Sequence, residues 1–105
     1  MSRKQQIEEF TNILAVALRH KIGSIVNKHE IYSAKYSKDA DMLINSAKKI
    51  VLGVSFNFYE KQYIKEILKK KLYNELASKD FLNNKKFEIM DDEMNRVLKE
   101  FDIFE

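Results

Sequence analysis

The chain of 105 residues is long enough for one domain, and 45% apolar residues with 11% aromatic residues supply a single hydrophobic core. It holds no Cys, no Pro and two Gly, which excludes a disulfide scaffold, thiolate metal sites and a Pro/Gly-rich disordered chain. The N-terminal MSRKQQIEEF lacks an apolar signal core, and no apolar run is long enough for a bilayer, so we expect a cytoplasmic protein without membrane contact.

The net charge of +3 is distributed unevenly along the chain. Seventeen Lys and Arg against nine Asp and Glu give residues 1–86 a charge of +8, whereas two against seven give residues 87–105 a charge of −5. Two interpretations stay open: the acidic segment neutralises the basic body, or the body contacts a polyanion while the acidic segment modulates that contact or binds a partner. Sixteen Lys against three Arg favour contacts to phosphate rather than to bases.

Apolar residues recur at helical spacing almost throughout, which predicts a single all-α domain over residues 1–105, a small bundle of four or five helices. The first helix begins near Ser2 or Arg3 and carries a broad apolar stripe: Ile7, Phe10, Ile13, Leu14, Ala17, Leu18, Ile22 and Ile25. A basic turn before Gly23 is typical of a helix end. A helix that continues to about Tyr36, with Gly23 at a close helix crossing, fits equally well.

The second helix is expected over about residues 39–54, with Ser37 or Asp39 as its cap. Its predicted buried residues are Met42, Leu43, Ala47, Ile50, Val51 and Val54. Gly53 and Asn57 then mark a turn.

The chain after the third helix (residues 58–78) is expected to be a loop over 78–86 and an isolated extended segment over 87–89. Asp91 or Asp92 then caps an acidic last helix that ends near Phe101 and either packs on the basic body or extends from it. Its predicted core residues are Met94, Val97, Leu98 and Phe101.

The third helix carries two apolar rows rather than one. The first row is Tyr59, Tyr63 and Ile67, and the second is Ile64, Leu68, Leu72 and Leu76. Together they exceed the roughly 100° of apolar arc that a surface helix needs. The helix is therefore either central to its own bundle or packed between its own core and a second chain, as in a self-complementary homodimer. The predicted contacts of such a homodimer are Tyr59, Tyr63, Ile64, Leu68 and Leu72.

A third row on the same helix is basic. We name Lys61, Lys65 and Lys69 the Lys row; Tyr73 follows it, and Lys70 and Lys71 extend it sideways. Its charges repeat about every 6 Å, given the rise of 1.5 Å per residue. Such a row suits a nucleic-acid backbone, with Tyr73 stacking on an unpaired base. The alternative is a solvated lysine face on a lysine-rich protein.

Catalytic groupings are sparse. His20 and His29 lie nine residues apart, on opposite faces of a continuous helix, where they cannot share a metal; a helix break at Gly23 would let them converge only with a carboxylate such as Glu30. The two glycines stand alone, so the sequence has no glycine-rich phosphate loop. We expect no metal, no cofactor and no enzyme activity. Residues 18–22 and 44–50 resemble the two helices of a histidine-kinase phosphotransfer hairpin, which implies phosphotransfer at His20. The sequence departs from that family at Lys21, where an acid is usual.

The sequence thus predicts a non-catalytic basic module that acts within a larger assembly and contacts nucleic-acid backbone through the Lys row. One alternative is a homodimer with protein contacts alone. A further alternative is a phosphotransfer or metal enzyme that uses His20.

Overall fold

The computed structural model describes residues 2–103 and contains four α-helices and no strand within that range. The helices are α1 (Arg3–Val26), α2 (Ser33–Ile50), α3 (Phe58–Ala77) and α4 (Met90–Glu100), with a 3₁₀ helix (Asn84–Phe87) between α3 and α4. The predicted all-helical fold is confirmed for these residues. Glu105, counted in the acidic segment, lies outside them.

The central element is α1, which contacts α2, α3, α4 and the 3₁₀ helix. A reciprocal cap starts it: the Gln5 backbone N–H donates to Ser2 Oγ at 3.1 Å, and the Ser2 backbone N–H donates to Gln5 Oε1 at 3.1 Å. The middle of its apolar stripe is fully buried, at Phe10, Leu14, Leu18 and Ile22. The predicted stripe therefore faces the core, except at its last member, Ile25, which is exposed.

Gly23 does not end α1, which continues to Val26 and stops well short of Tyr36. A Cβ atom at position 23 would lie 3.3 Å from Leu82 Cδ2 and 3.4 Å from Tyr36 Cδ2. The glycine therefore allows close approach of α2 and of the segment after α3. The chain turns over residues 27–32, and Ser33 Oγ donates to the Ser24 carbonyl at 2.8 Å where α2 begins.

The predicted start of α2 at Ser37 or Asp39 is wrong, because the helix begins at Ser33 and both residues lie inside it. Among the described elements α2 packs against α1 alone, so little of its surface is covered. Ala40 and Ala47 are buried, but Met42, expected in the core, is 60% exposed. The other predicted core residues of this segment are half-buried: Leu43, Ile50, Val51 and Val54.

The connection between α2 and α3 follows the sequence prediction. Gly53 adopts a φ of +76°, a left-handed backbone conformation that is unfavourable for residues with a Cβ atom. Asn57 caps α3: the Glu60 backbone N–H donates to Asn57 Oδ1 at 2.8 Å, and the Asn57 N–H donates to Glu60 Oε1 at 2.9 Å.

The predicted extended segment over residues 87–89 is wrong. Phe87 ends the 3₁₀ helix, whose start is fixed by the Lys85 backbone N–H donating to Asn83 Oδ1 at 2.9 Å. Asp91 and Asp92 lie in the first turn of α4, and the N-cap position is held by Ile89. α4 packs on α1 and α3 and buries Met94, Val97 and Leu98, while Phe101 is half-buried.

Candidate interaction surface on α3

The two apolar rows of α3 differ in burial: Tyr59 and Tyr63 of the first row are exposed, and its third member, Ile67, is half-buried against the core. Ile64, Leu68, Leu72 and Leu76 are fully buried in the protein's own core. Three of them, Ile64, Leu68 and Leu72, were predicted to contact a second chain. These three side chains pack in the core of their own chain, so they are not available for the predicted contact with a second chain.

The opposite side of α3 is open to solvent. We name it the outer α3 face, and its exposed residues are Tyr59, Tyr63, Glu66, Lys70, Tyr73 and Ala77. The three tyrosines are 81%, 39% and 53% exposed, in chain order. Exposed aromatic side chains aligned on one surface mark sites where proteins meet other molecules. Of the predicted homodimer residues, Tyr59 and Tyr63 therefore lie at an accessible surface.

The Lys row does not stay on one exposed surface. Residues four apart drift by about 40° around a helix of 3.6 residues per turn. Lys61 and Lys65 consequently lie half-buried beside the inner row, whereas Lys69 is exposed. Lys69 Nζ lies 3.5 Å from Asp91 Oδ1 in α4, so an acidic group is placed at the exposed end of the row.

Lys71 is turned toward α1 rather than along the row. Its Nζ donates to Thr11 Oγ1 at 2.6 Å, to Glu8 Oε2 at 2.9 Å and to the Glu8 carbonyl at 3.3 Å. The hydrogen bond and the positive charge of Lys71 lower the pKa of the Glu8 carboxyl below its ordinary value. The ammonium therefore ties α3 to α1 and is not directed at an outside ligand.

Tyr73 has a neighbour that the sequence did not indicate. The ring of Phe87, from the 3₁₀ helix, lies 5.3 Å from the Tyr73 ring, centroid to centroid. Beside this pair runs a shallow groove of about 390 Å³, lined by Lys69, Lys70, Tyr73, Asn74 and Met90. No short-range pattern links residues 73 and 87, since tertiary packing alone brings them together. Basic and aromatic side chains therefore lie side by side at this groove.

His20 occupies a separate cleft between α1 and α2. The imidazole is half-buried, its Nδ1–H donates to the Val16 carbonyl at 2.8 Å, and its ring stands edge-on to Tyr36 at 5.9 Å between centroids. His29 lies in the turn after α1. In residues 2–103 no group of three His, Cys, Asp or Glu residues could hold a metal ion.

A polar cleft of about 390 Å³ lies where α2 and α4 face each other across α1. It is lined by Lys21, Lys48, Arg96, Asp41, Glu93 and Glu100, together with three uncharged residues. Glu93 is buried, and its Oε2 accepts from Arg96 Nη1 at 2.9 Å. Three basic and three acidic side chains line this cleft, so it does not present a single sign of charge to a ligand.

The comparisons with known proteins add no functional assignment. No protein-family model, curated protein or solved structure matches the chain. Among the described helices, none is long and apolar enough to cross a membrane.

Proposed function

We propose that the protein is a non-catalytic interaction module that binds a protein surface through the outer α3 face, with a second copy of the chain as the simplest partner. One observation carries the proposal: Tyr59, Tyr63 and Tyr73 stand exposed along one side of one helix. Tyrosine offers a large contact area with few rotatable bonds and a polar hydroxyl, which makes it common at protein–protein contacts.

The distribution of lysines favours a protein partner over a nucleic-acid backbone. Binding along a phosphate chain needs several cations on one exposed track, because each phosphate contact adds its own counterion release. On α3 the half-buried Lys61 and Lys65 and the inward Lys71 leave Lys69 and Lys70 at the exposed surface. Of these, Lys69 stands beside Asp91.

A second candidate function is the binding of single-stranded nucleic acid at the Tyr73–Phe87 ring pair. Lys69 and Lys70 flank the pair, and a groove runs beside it. In such an arrangement an aromatic ring can stack on a base while the lysines neutralise the neighbouring phosphates. This candidate uses Phe87 but neither Tyr59 nor Tyr63. The two candidates can therefore be tested separately.

The test is light scattering coupled to size exclusion, at low and high salt, with and without a mixed-sequence oligonucleotide. We expect a wild-type dimer that persists at high salt, because apolar contacts are not screened. The variant Tyr59→Ser/Tyr63→Ser should be monomeric, whereas Phe87→Ser should stay dimeric. Tyr32→Ser, at an exposed tyrosine in the turn before α2, is the matched control. Circular dichroism must show unchanged helicity in each variant.

A monomer at every concentration and salt would contradict the proposal. If that monomer binds the oligonucleotide in low salt and Phe87→Ser abolishes the binding, the second candidate is supported instead. The triple substitution Lys61→Ala/Lys65→Ala/Lys69→Ala then tests whether the Lys row contacts the phosphates. Oligonucleotide affinity that survives this triple change would exclude the row as the phosphate contact.

A further inference from the structure

The outer α3 face has the spacing of a helix–helix seam. Its residues follow one another at intervals of four, three, four, three and four positions, from Tyr59 to Ala77. This is the 3.5-residue repeat that keeps a stripe of side chains facing a partner helix. The seam occupies five helical turns, or about 27 Å at 1.5 Å per residue. It is exposed over its whole length.

We infer that α3 pairs with α3 of a second copy in an antiparallel arrangement, with a two-fold axis passing the helix at the level of Leu68. This inference rests on the proposed function and specifies its partner and register. In this antiparallel arrangement, a seam position that lies a given number of residues before Leu68 in one copy faces the position that lies the same number of residues after Leu68 in the other copy. Tyr63 then faces the partner's Tyr73, and Glu66 faces the partner's Lys70.

Charge selects this orientation over the parallel one. Glu66 and Lys70 are the two charged members of the seam, and both are exposed. In the antiparallel register each carboxylate meets an ammonium of the other copy, twice per dimer. A parallel, in-register pair would set Glu66 against the partner's Glu66 and Lys70 against the partner's Lys70. Like charges facing each other across an interface are strongly unfavourable, so the pattern disfavours the parallel alternative.

The ends of the seam also complement each other in size. Tyr59 lies at one end and Ala77 at the other, so each large ring faces the partner's small methyl group. The same surface is used by both copies, and the two-fold pairing closes without leaving a site for a third chain. We therefore expect a closed dimer.

The flanks of the seam are compatible with this pairing. Residues 67 and 69 lie on opposite flanks of the seam, and the two-fold axis brings the same flank of each copy together. On one flank, the half-buried Ile67 therefore lies beside the partner's Ile67 and adds apolar contact. On the other side Lys69 approaches the partner's Lys69, an unfavourable pair taken alone. Asp91 lies 3.5 Å from each Lys69 within its own chain and offsets that charge.

The decisive experiment uses two single charge reversals, Glu66→Lys and Lys70→Glu. Each variant alone should dimerise at least about tenfold more weakly than the wild type, because two like-charge pairs replace two opposite-charge pairs. An equimolar mixture of the two variants should form a heterodimer with restored affinity, since every facing pair is then opposite in charge. The double variant Glu66→Lys/Lys70→Glu should again form a homodimer. Sedimentation equilibrium gives the dissociation constant in each case.

The mixing arm separates contacts between chains from contacts within one helix. Glu66 and Lys70 are also four residues apart and can pair along their own helix. In each single variant both positions carry the same charge, so recovery in the mixture comes from the contact between chains. Glu9→Lys in α1 and Lys49→Glu in α2, both at exposed positions, are the charge-matched controls and should leave dimerisation unchanged.

Two results would overturn the inference: single variants that dimerise as tightly as the wild type, or a mixture that associates no better than either variant alone. Both differ from failure of the proposed function, which is a wild-type protein that stays monomeric. A dimer that is lost in Tyr59→Ser/Tyr63→Ser but ignores the charge reversals would keep the outer α3 face as the contact and refute the antiparallel register.

Discussion

The separation of α3 into an inner and an outer row makes opposite predictions for two apolar residues of the same helix. Leu68 is fully buried, and Tyr59 is 81% exposed. Truncation of a buried leucine to alanine removes contacts and leaves a cavity, which typically costs about 2–5 kcal/mol of unfolding free energy. Truncation at an exposed position usually changes stability by less than about 0.5 kcal/mol. We therefore expect Leu68→Ala to be strongly destabilising and Tyr59→Ala to be nearly neutral.

Urea and thermal unfolding followed by circular dichroism measure both variants. For a domain of this size each kcal/mol lowers Tm by about 4–8 °C, so Leu68→Ala should lose roughly 8 °C or more. The urea slope should stay at the wild-type value, since the surface exposed on unfolding hardly changes. The protein must be dilute enough to be monomeric, because dimerisation would raise the apparent stability of the wild type and make Tyr59→Ala look destabilising.

Equal losses in the two variants would refute this reasoning. If Leu68→Ala and Tyr59→Ala were destabilised by the same amount in dilute solution, α3 would not have one buried and one exposed row. If Leu68→Ala lost less than about 1 kcal/mol, the site would not be the packed core position that its burial indicates.

Three further variants test the turn before α3, the link between α3 and α1, and the register of the dimer. Gly53→Ala should cost about 1–2 kcal/mol in urea unfolding, because its φ of +76° is left-handed and the open space around it leaves backbone strain as the cause. Lys71→Met should remove the part of the unfolding free energy that comes from the depressed pKa of Glu8. This loss of stability should be largest at neutral pH and should shrink as the pH falls below the ordinary carboxyl pKa of 4.5, which unfolding measured at several pH values will show. Because the chain has no native Cys, a mixture of Tyr63→Cys and Tyr73→Cys chains reports the register: the antiparallel dimer predicts a mixed disulfide in preference to either symmetric one on a non-reducing gel.

Much of the secondary structure was predictable because it depends on residues a few positions apart. Three local signals illustrate this: the reciprocal caps at Ser2 and Asn57 and the glycine turn at Gly53. In the structure α1 begins directly after Ser2, and α3 begins directly after Asn57. The start of α2 was missed because Ser37 and Asp39 resemble caps when read locally. In the fold the helix begins four residues before Ser37, where the side chain of Ser33 bonds to the end of α1.

The candidate site was predictable only in part. The sequence by itself determined that α3 carries two apolar rows and a set of lysines, since helical periodicity follows from spacing alone. Only the tertiary structure decided which row is buried, because that depends on where α1 lies. It also turned Lys71 inward to Glu8 and brought Phe87 beside Tyr73, contacts between residues far apart in the chain. Local spacing sets the surfaces a helix offers, and packing against distant segments decides which of them remain for a partner.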